Sequence, residues 1–517
     1  MDLAKRYDTK LLTVSVLVIV AMVSSLTLSP EWGKQTAFQA FQFMSLTFGS
    51  LMQIIGLSSF LLLIIISFSK YGNIRLGKES PKYSTLSWAA MMFFAGNGAG
   101  TLYWVFLEWG YHFNAQLQTN GISPNEAINY EKSLAYAIFD WGPNMWAISG
   151  LFILPFAYHY HLKKDDRLKL SQICKYAIGE KYANGIIGKV IDFLFIFATV
   201  GAMTITAGTS SSAISITLAD FLNINPSFML LSSILLLTSL LYTLSSILGI
   251  EKGMRRISDW NIYISVALLF FIFIAGPSQF IFDSLVNSIG IVANDFFRMS
   301  LWTDPILKSG YPQNWTGFYL VYFFIFGPFV GMFCAKISQG RTVKEVLIAF
   351  IIFCSLGTTI FFAVVGGYQQ SIRISGGLLD VPLLLTKGEA SNIASLTLQS
   401  LPFSYIPTIL YILALILFLA TTLDACSFTL SAVVTRNLSS SVEPSRGIKT
   451  FWCFLLLALP LALNYAEADI DTIKSIVLLT GLPLVALSFI VYKGLITEIR
   501  KEFGKLSAQE IIRKTHP

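Results

Sequence analysis

Three groups of side chains in this sequence have the types and spacing to hold a small ion or a charged small molecule. Thr421 and Thr422 stand together in FLATTLDACS, just before Asp424. Threonine hydroxyls and free backbone carbonyls are the hard oxygen ligands that a small cation takes, although such hydroxyls also bond back to the preceding helical turn. Trp315, Tyr319, Tyr322, Phe323 and Phe326 follow the spacing i, i+4, i+7, i+8 and i+11, so they share one helical face. An aromatic face turned into a cavity attracts ammonium groups at about 0.5–2 kcal/mol each; turned elsewhere it is packing or lipid contact. The third group is Asn97 among Gly96, Gly98 and Gly100, in the apolar run MMFFAGNGAGTLYWVFLEWGYHF from Met91 to Phe113. A helix-interior glycine costs roughly 1 kcal/mol against alanine, so the cluster predicts a break. Carbonyls freed at a break inside hydrocarbon must line a cavity or bind something, as in the discontinuous helices of secondary transporters. The same small residues also allow close helix packing.

Positioning these groups requires long apolar elements, and the composition supplies them. Of 517 residues, 54% are hydrophobic and only 13% charged, and the apolar character recurs in windows of about 20 residues. Twelve spans are expected, near 11–29, 46–68, 85–108, 137–160, 190–215, 227–249, 259–281, 315–336, 343–366, 405–433, 450–466 and 471–492. Of the 36 Lys and Arg residues, only Lys34, Lys132, Arg298, Lys308, Arg373, Lys387 and Lys474 fall in the segments that lie outside if both termini are cytoplasmic. That bias orients the chain in the plasma (cytoplasmic) membrane. Outer segments 114–136, 282–314 and 367–404 are expected as short helices over the external face, with Asp140 near that surface. The tail after Lys493 reads as an amphipathic helix beside the membrane, with modest attraction to anionic lipid.

Glu108 and Asp424 fall within apolar segments, where a carboxylate is functional unless a neighbouring group satisfies it. Trp141 and Trp146 flank Gly142-Pro143, ordinarily the placement of an interface anchor. Gly327-Pro328 suggests a second broken helix. Catalysis has little support: four histidines show no HExxH spacing, and GNGAG lacks the strand and acidic residue of a dinucleotide site. Five scattered cysteines read as reduced and structural, and the net charge of +7 calls for no nucleic-acid partner.

Five stretches together resemble the betaine/choline/carnitine family of secondary transporters: AGNGAG with the following YW and LEWGYHF, DWGPNMWAI, GIEKGMRRISDWN, PFVGMFCAKISQGRTVKEVL and FLATTLDACS. The likeness runs from about residue 45 to 490. It implies an all-α polytopic protein of twelve transmembrane helices, with LeuT-type inverted five-helix repeats in spans 3–12. Residues 1–84 would be a tail and two peripheral spans, 85–492 the transporter core and 493–517 a cytoplasmic tail, and members often form homotrimers. The resemblance places substrate at Asn97, Gly98, Gly100, Trp141, Trp146, Tyr322, Phe323 and Phe326. In sodium-coupled members one ion is held at the positions of Phe94, Asn97, Phe418, Thr421 and Thr422. A second site uses Phe329 with hydroxyls for which Thr204 and Thr206 are loose candidates.

Departures from the family pattern bear on the substrate. Leu320, Tyr322, Phe323 and Phe326 stand where tryptophans are usual, Ser149 replaces a tyrosine, Asn97 a methionine, Asp140 a histidine and Trp109 a proline. Phenylalanine is a weaker cation partner than tryptophan. With the ion taking only the Asn97 carbonyl, its side-chain amide becomes available to substrate. Gly100 is not the aspartate that resembles choline carriers, which favours a zwitterion. Spans five and six carry no Lys or Arg between 190 and 251, so no fixed cation there replaces a bound ion. The expected function is import of a small zwitterionic ammonium compound, betaine-like or amino-acid-like, with sodium as coupling ion, no other cofactor and no enzymatic activity. Sodium-independent exchange of amines and a non-transporting membrane sensor are the alternatives.

Overall fold

The computed structural model describes residues 6–120, 126–164, 169–248, 253–436, 438, 443–468 and 470–516. Among them helices dominate, and β structure is confined to two isolated bridges, Tyr7 with Thr435 and Arg75 with Thr342. The principal helices are α1 (Thr9–Leu28), α2 (Pro30–Phe68), α3 (Thr85–Ala95), α4 (Ala99–Trp104), α5 (Glu108–Asn120), α6 (Glu126–Asp140), α7 (Pro143–Ala157) and α8 (Ile186–Leu222). After them come α9 (Phe228–Leu248), α10 (Gly253–Ala275), α11 (Ser278–Leu301), α12 (Phe318–Ile337), α13 (Val343–Ile374), α14 (Tyr405–Val434), α15 (Arg446–Tyr465), α16 (Ile470–Phe503) and α17 (Ala508–Thr515).

Each expected span coincides with helix, and nine helices among the described residues are long and apolar enough to cross a bilayer. The chain is therefore a multi-pass membrane protein. One of the nine is α11, a 24-residue, mostly exposed helix where only short surface helices were expected. Its side chains alternate helically between the body and the exterior, with Ile281, Val292 and Met299 buried and Phe282, Val286 and Phe297 exposed. The other outer segments do form short helices, such as Val381–Thr386 and Ile393–Gln399.

Local chemistry sets the ends of these helices. Asp8 caps α1 through Leu11 N, and Pro30 opens α2 where its missing N–H costs nothing. Thr342 and Glu345 form a capping box at the start of α13. The third span breaks as its glycines predict: α3 stops at Ala95, Gly96 caps it, and α4 begins at Ala99. The second expected break is absent, because α12 runs unbroken through Pro328. There Gly327 serves packing instead: a Cβ on it would strike the Phe152 ring of α7, so its hydrogen is what lets the two helices approach.

The tail also departs from expectation. Helix α16 continues past the span to Phe503, and α17 folds back onto the protein body rather than lying free on lipid. Lys70 Nζ donates to the carbonyls of Gly504 and Leu506 at 2.8 and 2.9 Å, and Arg75 N donates to Thr515 Oγ1 at 3.2 Å. Burial pushes the Glu502 carboxyl up, but hydrogen bonds from Lys163 and Tyr158, with the charges of Lys163 and Lys514, outweigh it and hold the group below its ordinary value.

Candidate functional site

The break in the third span sits against the aromatic side of α12 and the hydroxyl-bearing stretch of α14, and the three enclose a cavity of about 450 Å³. Asn97, Gly98, Gly100, Trp141, Trp146, Tyr322, Phe323 and Phe326 border it, as do Phe94, Phe329, Phe418, Thr421 and Thr422. Thr206 borders it too, whereas Thr204 is buried elsewhere on α8 and bonds back to the Val200 carbonyl at 2.7 Å. The volume lies within the range of small-molecule sites.

One wall is aromatic. Trp146 meets Phe323 edge to face at 4.7 Å between centroids, Trp141 meets Phe323 at 5.6 Å, and Tyr322 lies 4.7 Å from Phe326. Trp141 is no interface anchor: it is buried, and its indole N–H donates to Glu108 Oε2 at 2.8 Å. Ser149, in place of a larger ring, donates to the Phe323 carbonyl at 3.0 Å and ties α7 to this wall. Trp315 and Tyr319 share the helical face but lie beyond the cavity, around Glu108.

The opposite wall offers oxygen. Thr422 Oγ1 donates to the Phe418 carbonyl at 2.7 Å, and Thr421 Oγ1 to Leu417 and Phe418 carbonyls at 3.0 Å each. Back-bonding of this kind uses the hydroxyl hydrogen and leaves the lone pairs on oxygen. Asn97 Nδ2 donates to the Phe93 carbonyl at 2.9 Å, while its buried Oδ1 has no partner. Of the side-chain amide expected to be available to substrate, the unsatisfied atom is thus the acceptor Oδ1, which also suits a cation. Gly98, in extended backbone, has no atom within 4 Å of where a Cβ would stand.

At its far end the cavity reaches exposed Phe333 and partly exposed Lys336, on the side of the loop that carries Arg341. Asn261 is a site residue that the sequence reading quoted only within a motif. Its side chain, oriented so that Nδ2 donates to Ala414 O (3.3 Å) and Oδ1 accepts from Phe418 N (3.2 Å), inserts into the ladder of α14 beside the threonine pair. A polar residue opening an otherwise apolar span was its signal. Residues 249–252 of the same motif lie outside the described residues.

The sequence matches the model of the betaine/carnitine/choline family of transporters over residues 10–504. The chain belongs to that family. It is 35% identical over 452 residues to the uncharacterized transporter YeaV of Escherichia coli strain K12, covering 87% of this chain and 93% of the relative. It is 32% identical over 510 residues to a carnitine transporter of Acinetobacter baumannii, covering 98% and 92% respectively. Membership makes this a transporter. Trp109, in the usual place of proline, is structural here: its indole donates to Gln369 Oε1 at 2.6 Å in a buried contact between α5 and α13.

Proposed function

We propose that this transporter imports a small zwitterionic ammonium compound, betaine-like or amino-acid-like, together with sodium, by alternating access. One observation carries the reading: the broken third span, an aromatic wall and two threonine hydroxyls meet at a single cavity. Substrate contacts Asn97, Gly98 and Gly100 on the break and Trp141, Trp146, Tyr322, Phe323 and Phe326 opposite, where ring faces attract its ammonium. Sodium takes oxygens at Phe94, Asn97, Phe418, Thr421 and Thr422, and the unpartnered Asn97 Oδ1 supports a cation there. A second ion near Phe329 and Thr206 belongs to the same reading.

Among the described residues that line the cavity, the lysine is Lys336. Its Nζ lies 5.6 Å from the centroid of Phe428, seven residues beyond Thr421 on α14, or about 10 Å along the axis. Lys336 is thus drawn to an aromatic ring further along α14 than the threonine pair, and we assign the hydroxyls to sodium. The charge bias supports a cytoplasmic-membrane location with both ends inside, and by resemblance we assign inverted repeats and a homotrimer. On that topology the exposed end of the cavity at Phe333 and Lys336 lies toward the cytoplasm, which supports an inward-facing form.

A thermal-shift screen of purified protein tests the reading, with betaine, carnitine, choline and amino-acid zwitterions, each in sodium and in potassium. Stabilisation by a zwitterion in sodium alone is the expected result; equal stabilisation in both salts overturns sodium coupling, and a silent panel overturns the substrate class.

A further inference from the structure

Outside the cavity, behind its aromatic wall, the side chains of Glu108, His112 and Asp140 converge with no exposed surface. This corrects the placement of Asp140 near the outer surface: α6 buries its C-terminal end beneath Thr316 of the turn preceding α12. Each of the three residues is held by one atom and has another directed at a common point. Glu108 Oε2 accepts from Trp141 Nε1 and from the Tyr319 hydroxyl, both at 2.8 Å, leaving Oε1 toward His112. His112 Nδ1 bonds the Tyr311 hydroxyl at 2.7 Å, leaving Nε2. Asp140 Oδ1 accepts from Thr316 at 3.3 Å, while Oδ2 is buried without a hydrogen bond.

Nε2 lies 3.4 Å from Glu108 Oε1 and 3.5 Å from Asp140 Oδ2, and the three ligand atoms fall within 4.8 Å of one another. These gaps are long for hydrogen bonds. The two gaps from Nε2 match tetrahedral edges, since bonds of 2.0–2.1 Å to a central zinc put neighbouring ligands about 3.3–3.4 Å apart, whereas an octahedron of the same bond length needs only about 2.9 Å; the gap between the two carboxylate oxygens stays within 4.8 Å. The surrounding bonds are of the kind that fix metal ligands, with the second imidazole nitrogen and the second carboxylate oxygen both engaged. One imidazole and two carboxylates select a divalent transition ion over magnesium or calcium. Two buried carboxylates also need positive charge. Lys474, whose Nζ rests 3.3 Å from the Trp315 ring centroid and 3.4 Å from the Asn314 carbonyl, supplies one nearby.

We infer that Glu108, His112 and Asp140 form a four-coordinate zinc-type metal site with one position left for water, distinct from the transport cavity. Through Trp141, which the Glu108 carboxylate holds and which also borders the cavity, the site braces the aromatic wall.

The test uses tag-free full-length protein, stripped with chelator and reloaded with Zn²⁺ or Co²⁺, with metal counted by mass spectrometry and tetrahedral cobalt read by its visible absorption. One ion per protomer and a cobalt band are expected in the wild type, and loss of both in His112→Ala and Asp140→Asn. Asp140→Asn keeps the side-chain shape and the bond to Thr316, so it carries the test if His112→Ala does not fold. Absence of stoichiometric metal from the wild type overturns the site and leaves the three groups to share protons; full metal retention in the folded variants overturns the ligand assignment. Neither readout depends on the substrate or sodium coupling.

Discussion

Two glycines of the break, two residues apart, should respond oppositely to the same added methyl group. At Gly98 the backbone is extended (φ −152°, ψ −172°), a conformation that alanine adopts freely, and nothing lies within 4 Å of the new Cβ. Gly98→Ala should therefore fold normally, and the lost freedom of the unfolded chain gives up to about 0.4–1 kcal/mol of added stability. The methyl must then stand in the open space that Gly98 borders. If that space holds substrate, overpacking of about 1–3 kcal/mol falls on the complex alone and raises Kd about 5- to 150-fold. At Gly96 the Cβ would meet Trp146 Cζ2 at 2.9 Å and Cys354 Cβ and Cα at 3.1 and 3.2 Å. Gly96→Ala should instead destabilise the protein by about 1–3 kcal/mol before any ligand is added. Thermal unfolding of both variants, with and without the ligand that stabilises the wild type, separates the two effects. Unchanged affinity in Gly98→Ala would refute the break as a wall of the substrate site, and destabilisation equal to that of Gly96→Ala would refute its geometry.

Thr421→Val with Thr422→Val keeps the side-chain shape and removes two oxygens. It should abolish sodium-dependent stabilisation while changing fold stability by no more than the back-bonds are worth, about 1 kcal/mol each; retained sodium dependence in the thermal shift would remove the hydroxyls from the ion site. Glu502 is held below its ordinary carboxyl value of 4.5, so its contribution to tail docking is complete above that pH and is lost as acid drives the group through its lowered folded value. Protection of the α17 amides, taken relative to intrinsic exchange at each pH, should therefore fall on acidification below about pH 4.5 in the wild type and be already reduced in Glu502→Gln, and a flat protection profile in the wild type would show that the tail is held by other contacts.

What could be read from sequence was whatever lay within one helix. Three glycines in a row of apolar residues announce a break because their cost is local, and the structure breaks at Gly96. The aromatic stripe was legible as a face but not in its use: Tyr322, Phe323 and Phe326 reach the cavity, while Trp315 and Tyr319, one to two turns earlier, meet Glu108 and His112 instead. Gly327-Pro328 misled because a glycine required by the approach of Phe152 and a glycine required by a break look alike in one dimension. Asp140 was placed too shallow since its depth depends on where α6 packs, and its partners come from α5 and the turn before α12. The sequence reading singled out Glu108 as a carboxylate in an apolar segment but did not join it to His112, four residues on, or to Asp140, 28 residues beyond that, because only packing brings the third group to the other two.

The two walls of the cavity differ in how firmly they are held, and this bears on how transport can be coupled to an ion. Trp141 is fixed at both ends, its N–H by Glu108 at 2.8 Å and its carbonyl by Thr358 Oγ1 at 2.7 Å. Releasing the indole would strand a buried donor at a cost of about 1–3 kcal/mol, so the aromatic wall keeps its shape whether or not a ligand is present. In the glycine break the Gly98 carbonyl accepts from Leu102 N at 3.0 Å, but open space lies beside its Cα and the neighbouring Asn97 oxygen is unsatisfied. An ion bound there lowers the free energy of one arrangement of the break relative to others. On the proposed sodium-coupled reading, a ligand that spans both walls would then find one wall rigid and the other already ordered, and ion and ligand would each strengthen the binding of the other to the same extent.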